Sequence, residues 1–372
     1  MRNKSIRHKR HKLKVDVQPR VRQNMRHKLA SYGIIGVVLL LFSFTLCVAF
    51  GTVHVPTSEI ISILMHRIAW LGNYITPNWD IASEQIVLQV RLPRVILGLI
   101  VGASLAIAGA SFQGVLQNPL ADPFTLGVSS GSAVGAAILI FFGWQFSIAG
   151  IFTLPLVAFV MGAGTLWIVM WLAKDNGKMP IHSLILAGVV MQAFLGAIVS
   201  FLTVMSKKTV NEILYWTMGS LSLRGWSYVY ILLPYLLVCG LFLWSKARTM
   251  NLLSLGEQQA AFTGLDVERT KWKILFVATL LTAAAVSVSG IIGFVGLVVP
   301  HMLRLLIGPD YRLIIPLSAI GGGIFMMWSD LAARSLLAPT EIPLGVVTAF
   351  FGAPFFAYLL YSNKKQQRLT LP

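Results

Sequence analysis

The sequence predicts an all-α membrane protein with about ten transmembrane helices, and three observations support that fold class. Hydrophobic residues make up 56% of the 372 residues and charged residues only 12%, which is typical of a chain that crosses a membrane repeatedly. The apolar residues are grouped in runs of about the length that a bilayer requires. The loops between these runs are alternately basic, as the positive-inside rule requires.

The N-terminal region is strongly basic and differs from the rest of the chain. Residues 1–30 carry much of the excess in a net charge of +17 and have few apolar side chains to bury. We predict a disordered cytoplasmic tail that contacts anionic lipid, in preference to one that binds nucleic acid. The run that follows, 33–50, lacks a small-x-small cleavage site, so we expect an uncleaved first span.

The second span, 93–114, is the stretch around which the other spans are predicted to pack. At 1.5 Å per residue it is about 33 Å long, which is enough to cross a bilayer core. Small residues leave little bulk on one side of it, so another helix can approach closely. These residues are Gly98, Gly102, Ala106, Gly109, Ala110 and Gly114.

The remaining runs complete the count of crossings. Residues 52–89 are too polar to span the membrane, and we expect an external loop there with a short interfacial helix. The run that ends at Ile307 is short and is interrupted by glycine and proline, which predicts a bent or partial crossing. The eight runs after the second span are 124–142, 148–172, 183–205, 229–244, 272–292, 294–307, 313–331 and 344–361.

Basic residues predict that both termini are cytoplasmic. They are concentrated in alternate loops, which leaves a membrane domain over 31–362 and a C-terminal tail over 363–372. A few basic residues lie on the opposite side, where a functional explanation is needed. These exceptions are Arg91, Arg94, Lys207, Lys208, Arg224 and Arg334.

The longest polar cytoplasmic stretch, about 250–270, predicts a small knob. Residues 257–261 form a short helix in this interpretation, and Gly264 ends it. Asp266 is a candidate cap for a second short helix. Because the knob has little apolar content, it must rest on the membrane domain or on a partner.

Enzyme motifs are absent from the sequence. It contains no nucleotide-binding loop, HExxH pair, GxSxG elbow or paired-cysteine site, so we expect no catalysis and no bound cofactor or metal. Cys47 and Cys239 lie in apolar runs, which favours neither a disulfide nor a metal site. His301 stands near a helix end, where a hydrogen-bonded structural histidine is favoured over a ligand.

Three charged residues near the end of the chain have two interpretations each. Asp330 and Arg334 are spaced to form a local ion pair, but Arg334 could instead reach an external partner while Asp330 orients it. Glu341 precedes the last span, where capping of that helix is favoured over contact with a ligand.

The segment 118–123, NPLADP, must break the second span at its predicted cytoplasmic end. Pro119 has no N–H to donate and excludes the helical conformation from Asn118. A break at membrane depth is tolerated only where protein buries it or where it lines an aqueous path. The segment is therefore either a tight turn in which Asp122 caps the next helix, or the border of a gate.

Six long motifs occur in order along the chain. They are RLPR (91–94), GASLAIAGASFQGVLQNPLADPFTLGVSSGSAVGAA (102–137), GEQQAAFTGL (256–265), SGIIGFVGLVVPHMLRLLIGPDYRLIIPLSA (289–319), SDLAARSLL (329–337) and EIPLGVVTAFFGAPFFAYLL (341–360). These motifs closely resemble the FecCD family, the permease subunits of ATP-binding-cassette (ABC) importers for ferric siderophores, haem and cobalamin. The resemblance covers nearly all of residues 33–361 and leaves out the basic tail.

The resemblance implies an ABC importer type II permease fold, multi-pass in a bacterial cell membrane. It implies a second permease subunit, identical or paralogous, two ATPases that bind ATP and Mg, and an external substrate-binding protein. Arg91, Arg94 and Arg334 would meet acidic residues on the two lobes of that protein. Residues for two further roles are implied: ATPase coupling by Glu257, Ala261, Gly264, Leu265 and Asp266, and a pathway constriction at Asn118, Pro119 and Leu120.

The cargo and two rival functions remain to be decided. A ferric siderophore is the first choice of cargo, with cobalamin or haem as alternatives. An ion-coupled secondary transporter would need ionisable residues near the bilayer midplane, and midspan carboxylates are scarce in this sequence. A membrane-embedded enzyme would need a catalytic set that the available His, Asp and Glu residues do not supply.

Overall fold

Helices form nearly all the regular structure in the computed structural model, which describes residues 17–370 except 52, 54, 68, 69, 71, 75, 147 and 148. No strand occurs among these residues. A π-helical segment, Ile86–Arg91, joins α3 to α4, and a 3₁₀ turn, Pro123–Leu126, precedes α5. The helices are α1 Val17–Ala49, α2 Thr57–His66, α3 Ile81–Gln85, α4 Leu92–Val115, α5 Val128–Phe142, α6 Thr153–Leu172, α7 Ile181–Met205, α8 Val210–Met218, α9 Trp226–Ser245, α10 Ala247–Leu253, α11 Glu257–Phe262, α12 Val267–Ser289, α13 Val295–Ile307, α14 Tyr311–Ser335 and α15 Leu344–Thr370.

Each predicted apolar run coincides with one helix, which confirms the all-α membrane fold. Seven described helices are long and apolar enough to cross a membrane, and α5, α13 and the described apolar part of α15 are shorter. With 13 residues, α13 is about 20 Å long, which is shorter than a bilayer core and agrees with the prediction of a bent or partial crossing before Ile307. The helix expected within 52–89 is also present, as α2.

Helix α4 lies at the centre of the bundle. Every residue from Ile100 to Val115 is buried, and α4 packs against α9, α12, α13 and α14. A Cβ atom on Gly102 would lie 2.1 Å from the carbonyl oxygen of Gly322, and one on Gly109 would lie 1.9 Å from that of Gly296. Only a hydrogen atom fits at these crossings, so the predicted close packing of the small-residue face is confirmed.

The predicted disordered tail is corrected in its second half. Residues 17–30 continue α1 as helix, and residues 1–16 lie outside the described part of the chain. Once a helix exists, adding a residue costs much less than starting a new helix. Residues 20–32 contain neither glycine nor proline, so the helix of the first span can extend into the basic sequence.

The knob also differs from its prediction. Asp266 caps the long helix α12 instead of a second short one, accepting a hydrogen bond from the backbone N–H of Arg269 at 3.1 Å. No glycine or proline occurs between Val267 and Ser289, so nothing ends the helix early. The second short helix of the knob is instead α10, which precedes α11.

Candidate functional site

A buried charged cluster lies where α4 begins. The guanidinium of Arg94 binds two carboxylates at once, with Nη2 2.9 Å from Asp330 Oδ1 and Nη1 2.7 Å from Glu341 Oε1. Further hydrogen bonds run from Nε to both oxygens of Asp330 and from Nη2 to Glu341 Oε2. Arg94 thereby joins α4 to α14 and to the loop before α15.

Glu341 belongs to this cluster and does not act as the predicted helix cap. Its carboxylate accepts hydrogen bonds from Arg94 and, at 2.5 Å, from Ser222 Oγ, while α15 begins three residues later at Leu344. Burial acts to raise the pKa of Glu341, but the hydrogen bonds from Arg94 and Ser222 outweigh it and leave the pKa below its usual value. The capping prediction was wrong because Glu341 binds Arg94 instead. Arg94 is 247 residues distant in sequence, so local sequence did not indicate this partner.

Arg91 and Arg334 attach the end of α1 to the same cluster. Arg334 donates to the carbonyl of Cys47, and its Nε lies 3.5 Å from Asp330 Oδ2. Arg91 donates to the carbonyls of Val48 and Ala49 at 3.2 and 3.0 Å, and to that of Val53. The local Asp330–Arg334 pair is therefore present, but Asp330 lies closer to Arg94.

The resemblance implied that the three arginines meet an external protein, and the structure shows that each of them is buried within this chain. Arg91, Arg94 and Arg334 are 4%, 8% and 3% exposed. Buried charges are tolerated only with partners, which here are two carboxylates and the carbonyls at the end of α1. All three nevertheless line a cleft of about 420 Å³, together with Arg224 and Glu341. We call this the arginine cleft; four arginines and one carboxylate line it.

The knob and the arginine cleft lie at opposite ends of α12. At the C-terminal end of α12, the carbonyl of Ser289 accepts a hydrogen bond from Ser220 N at 2.8 Å, two residues before Ser222 of the cleft. The knob lies at the other end, and 23 residues of helix, about 35 Å, separate the two. One rigid element therefore connects both candidate sites.

Lys271 holds the knob against the membrane domain. It is only 2% exposed, and its Nζ lies 2.9 Å from Glu257 of α11, 2.9 Å from Glu268 and 3.0 Å from the carbonyl of Met179. Lys271 thus joins α11, α12 and the loop after α6. Sequence reasoning placed it among the basic residues of a cytoplasmic loop and missed this role; its spacing three residues after Glu268 was the available signal.

The other residues predicted to couple the chain to an ATPase lie on the outer side of the knob. Gly264 has a φ of +85°, and a Cβ atom there would meet nothing within 4 Å. Backbone conformation, not space within the chain, therefore requires glycine there. Ala261 and Asp266 are exposed, Leu265 is half-buried, and Phe262 between them is 89% exposed.

The NPLADP segment is a tight turn at the same end of the bundle as the knob. Asn118 Oδ1 accepts a hydrogen bond from Leu120 N at 2.9 Å, and Asp122 accepts one from Phe124 N at 3.1 Å. The predicted cap by Asp122 is confirmed, although it begins the 3₁₀ turn before α5. Pro119 and Leu120 are exposed. Burial raises the pKa of Asp122 to about 7, since the one backbone hydrogen bond offsets only part of the desolvation.

His301 is not the hydrogen-bonded histidine that was expected. Neither of its ring nitrogens has a hydrogen-bond partner among the described residues, and its ring packs 5.7 Å from that of Phe356. One turn later, Arg304 donates to the side chain of Gln113, whose Nε2 donates to the carbonyl of Gly296. The polar contact between α13 and α4 is thus made through Arg304.

Comparison with known proteins identifies the family. The FecCD transport family is matched over residues 39–362. The chain belongs to this family. It is 41% identical over 350 residues to the ABC transporter permease protein YvrB of Bacillus subtilis (strain 168), covering 94% of this chain and 97% of that one. It is 47% identical over 287 residues to the cobalamin import system permease protein BtuC of Halobacterium salinarum, covering 75% and 74%.

A solved structure shares the fold. It is a metal-chelate type ABC transporter in an inward-facing conformation. Its TM-score with this chain is 0.75 and the two sequences are 32% identical. The match covers 88% of this chain and 98% of that one. The resemblance that the sequence motifs indicated is therefore confirmed. This chain is therefore a multi-pass ABC permease component of the cell membrane. Its membership of the family decides against the alternative of an ion-coupled secondary transporter.

Proposed function

We propose that this chain and a second permease subunit, identical or paralogous, form the import pathway for a ferric siderophore. The cargo arrives on an external binding protein, and two cytoplasmic ATPases drive its passage. The observation that carries the proposal is the placement of a basic cleft and an exposed knob at opposite ends of α12. The two partners can then bind on opposite sides of the membrane.

The arginine cleft is the proposed docking site for the binding protein. Arg94 is neutralised by two carboxylates, but Arg91 and Arg334 donate mainly to backbone carbonyls, so the cluster keeps a positive excess. Arg224 also lines the cleft, and its Nε has no hydrogen-bond partner among the described residues. Acidic side chains entering the cleft would be attracted by this excess, which favours fast and correctly oriented association.

The knob is the proposed contact with the ATPase. Glu257, Ala261, Gly264, Leu265 and Asp266 would enter a groove of that subunit, and the exposed ring of Phe262 would add apolar contact. ATP and Mg²⁺ would bind to the ATPase. The Lys271 ion pairs would transmit the motion of α11 to α12 and the loop after α6, because they connect all three.

The turn at Asn118, Pro119 and Leu120 is the proposed constriction of the pathway. It is exposed at the end of the bundle where α10, the first helix of the knob, packs against α4. In a pair of permeases, two such turns facing each other would narrow the exit. ATPase closure would then move the knobs and the turns together.

Cobalamin is a second candidate cargo, and one observation favours it. The relative that is 47% identical is described as a cobalamin import permease. The permease–ATPase complex in proteoliposomes, supplied with its binding protein, distinguishes the candidates by the uptake of labelled ferric siderophore or labelled cobalamin. Siderophore uptake supports the first choice, and uptake of cobalamin alone replaces it.

The same proteoliposomes test the transport mechanism. Uptake should require the ATPase subunits, ATP and the binding protein, and omission of any one should reduce it to the level of empty vesicles. Uptake that persists without the ATPase subunit would contradict the importer assignment.

A further inference from the structure

A groove between α6 and α12 combines aromatic and basic side chains next to the knob. It has a volume of about 350 Å³. The groove is open at the surface of the bundle, and the loop after α6 forms one of its walls. The residues that decide its chemistry are Trp167, Trp171, Trp272, Lys174, Arg269 and Lys273.

The three indole rings place the groove at the membrane interface. Trp167, Trp171 and Trp272 are 67%, 66% and 43% exposed, so they face outward from the bundle. Trp272 stacks on Phe276 with ring centroids 5.0 Å apart and planes inclined by 6°. Outward-facing tryptophans at the end of a span typically lie at headgroup level, and these are at the predicted cytoplasmic end.

The cations of the groove are available for a ligand. Lys174 and Lys273 are exposed, and neither makes an ion pair within 4.0 Å among the described residues. Arg269 pairs with Asp266 at 3.1 Å, but both side chains are largely exposed, so this pair is weak.

The single carboxylate that lines the groove, Glu268, is engaged by partners within the chain and shares Lys271 with Glu257. Glu268 Oε1 lies 2.9 Å from the buried Nζ of Lys271, and Oε2 accepts a hydrogen bond from Met179 N at 2.9 Å. The groove therefore offers two unpaired ammonium groups beside apolar rings, and its basic residues outnumber its one carboxylate, so its lining attracts an anion.

We propose that this groove binds the headgroup of an anionic phospholipid from the cytoplasmic leaflet. Lys174 and Lys273 would contact the phosphate, and the indole rings would support the glycerol region and the upper acyl chains. Basic pockets between transmembrane helices on the cytoplasmic side are suited to such headgroups. The outward tryptophans favour a lipid over a soluble anion, because a free phosphate has no apolar part to place on them.

Native mass spectrometry of the full chain in detergent tests the site. Dioleoylphosphatidylglycerol should bind more tightly than dioleoylphosphatidylcholine. Lys174→Gln combined with Lys273→Gln should weaken phosphatidylglycerol binding by about tenfold or more, since each cation near an anionic surface contributes measurably. Lys174→Arg with Lys273→Arg, which keeps both charges, should retain the binding.

A matched control removes two positive charges from outside the groove, also at the predicted cytoplasmic end of the bundle. Lys246→Gln with Arg248→Gln lies outside the groove and should leave phosphatidylglycerol binding unchanged. Equal loss in this control would overturn the proposal by showing attraction without a site. Undiminished binding in the groove variant would overturn it too. Displacement of the lipid by excess inorganic phosphate would show a soluble-anion site and would equally reject the lipid assignment.

Discussion

Arg94 lies between Asp330 and Glu341, so its replacement should affect the stability of the fold. Arg94→Met would leave two carboxylates without their shared partner, and breaking a buried pair in this way typically costs about 3–5 kcal/mol. We expect a clearly lower unfolding temperature in detergent, with a smaller loss for Arg94→Lys, which keeps the charge. An unchanged unfolding temperature in Arg94→Met would show that the cluster does not stabilise the fold.

Arg224 is the better residue for testing docking, because it lines the cleft without joining the Asp330–Glu341 network. It stacks on Tyr228 with its Cζ 4.8 Å from the ring centroid. Arg224→Glu should slow uptake about tenfold at low salt and less at high salt, because steering depends on charge. The control Lys207→Glu changes an exposed residue outside the cleft and should leave the rate of uptake unchanged. Uptake that stays normal in Arg224→Glu would contradict docking at the cleft.

Asp122 predicts a pH dependence for the turn after α4. In the unfolded chain its carboxyl ionises near an ordinary pKa of about 3.9, whereas burial raises the folded pKa to about 7. The neutral form is favoured on folding, so the stabilisation is full below the unfolded pKa and is lost as the pH rises through about 7. Thermal unfolding followed from about pH 4 to about pH 8 should show a steeper loss for the native chain than for Asp122→Asn, most of it below about pH 7. Identical slopes would rule out this contribution.

At the scale of elements, the attachment of α11 depends on one buried lysine. Lys271→Met would remove the partner of Glu257 and Glu268 and release α11 from α12. Amide hydrogen exchange over 257–263 should become at least about tenfold faster, and stimulation of the ATPase by the binding protein should fall. Lys246→Met is the control, since it removes a lysine outside the knob. Unchanged exchange over 257–263 would mean that α11 is held by its apolar contacts alone.

The turn between α11 and α12 gives a second prediction at this scale. At a φ of +85°, a β-branched side chain on Gly264 would be strained by about 1–2 kcal/mol or more. Gly264→Val should detach or uncouple the ATPase, measured by co-purification and by stimulated ATP hydrolysis. Asparagine tolerates this backbone conformation, so Gly264→Asn separates backbone strain from a steric clash with the ATPase. Loss in both variants indicates a clash with the partner, and loss in valine alone indicates the backbone. Normal coupling in both variants would contradict the assignment of this turn.

At the scale of the whole molecule, both ends of the bundle are connected by helices that cannot shift independently. The crossings of α4 with α14 at Gly102 and with α13 at Gly109 bring backbones into contact. No side chain separates the two backbones at these crossings, so the helices can shift little without breaking the packing. We therefore predict that a displacement at the knob moves whole helices and not local loops.

The spans, their order, the short helix α13, the glycine face of α4 and the family could all be predicted from the sequence. These are properties of apolar length, residue size and ordered motifs, which local sequence records directly. It also led to the residues that line the arginine cleft, because basic residues on the wrong side of the positive-inside pattern are unusual.

The partners of those residues could not be predicted from the sequence, because they come from distant parts of the chain. The partners of Arg94 lie 236 and 247 residues away, Lys271 takes Glu257 from another helix, and the lipid groove requires α6 and α12 to be neighbours. The burial of Arg91, Arg94 and Arg334 depends on where α1 ends against α4 and α14. Such contacts follow from the packing of distant helices, because a buried charge is placed by whichever partner the fold brings to it.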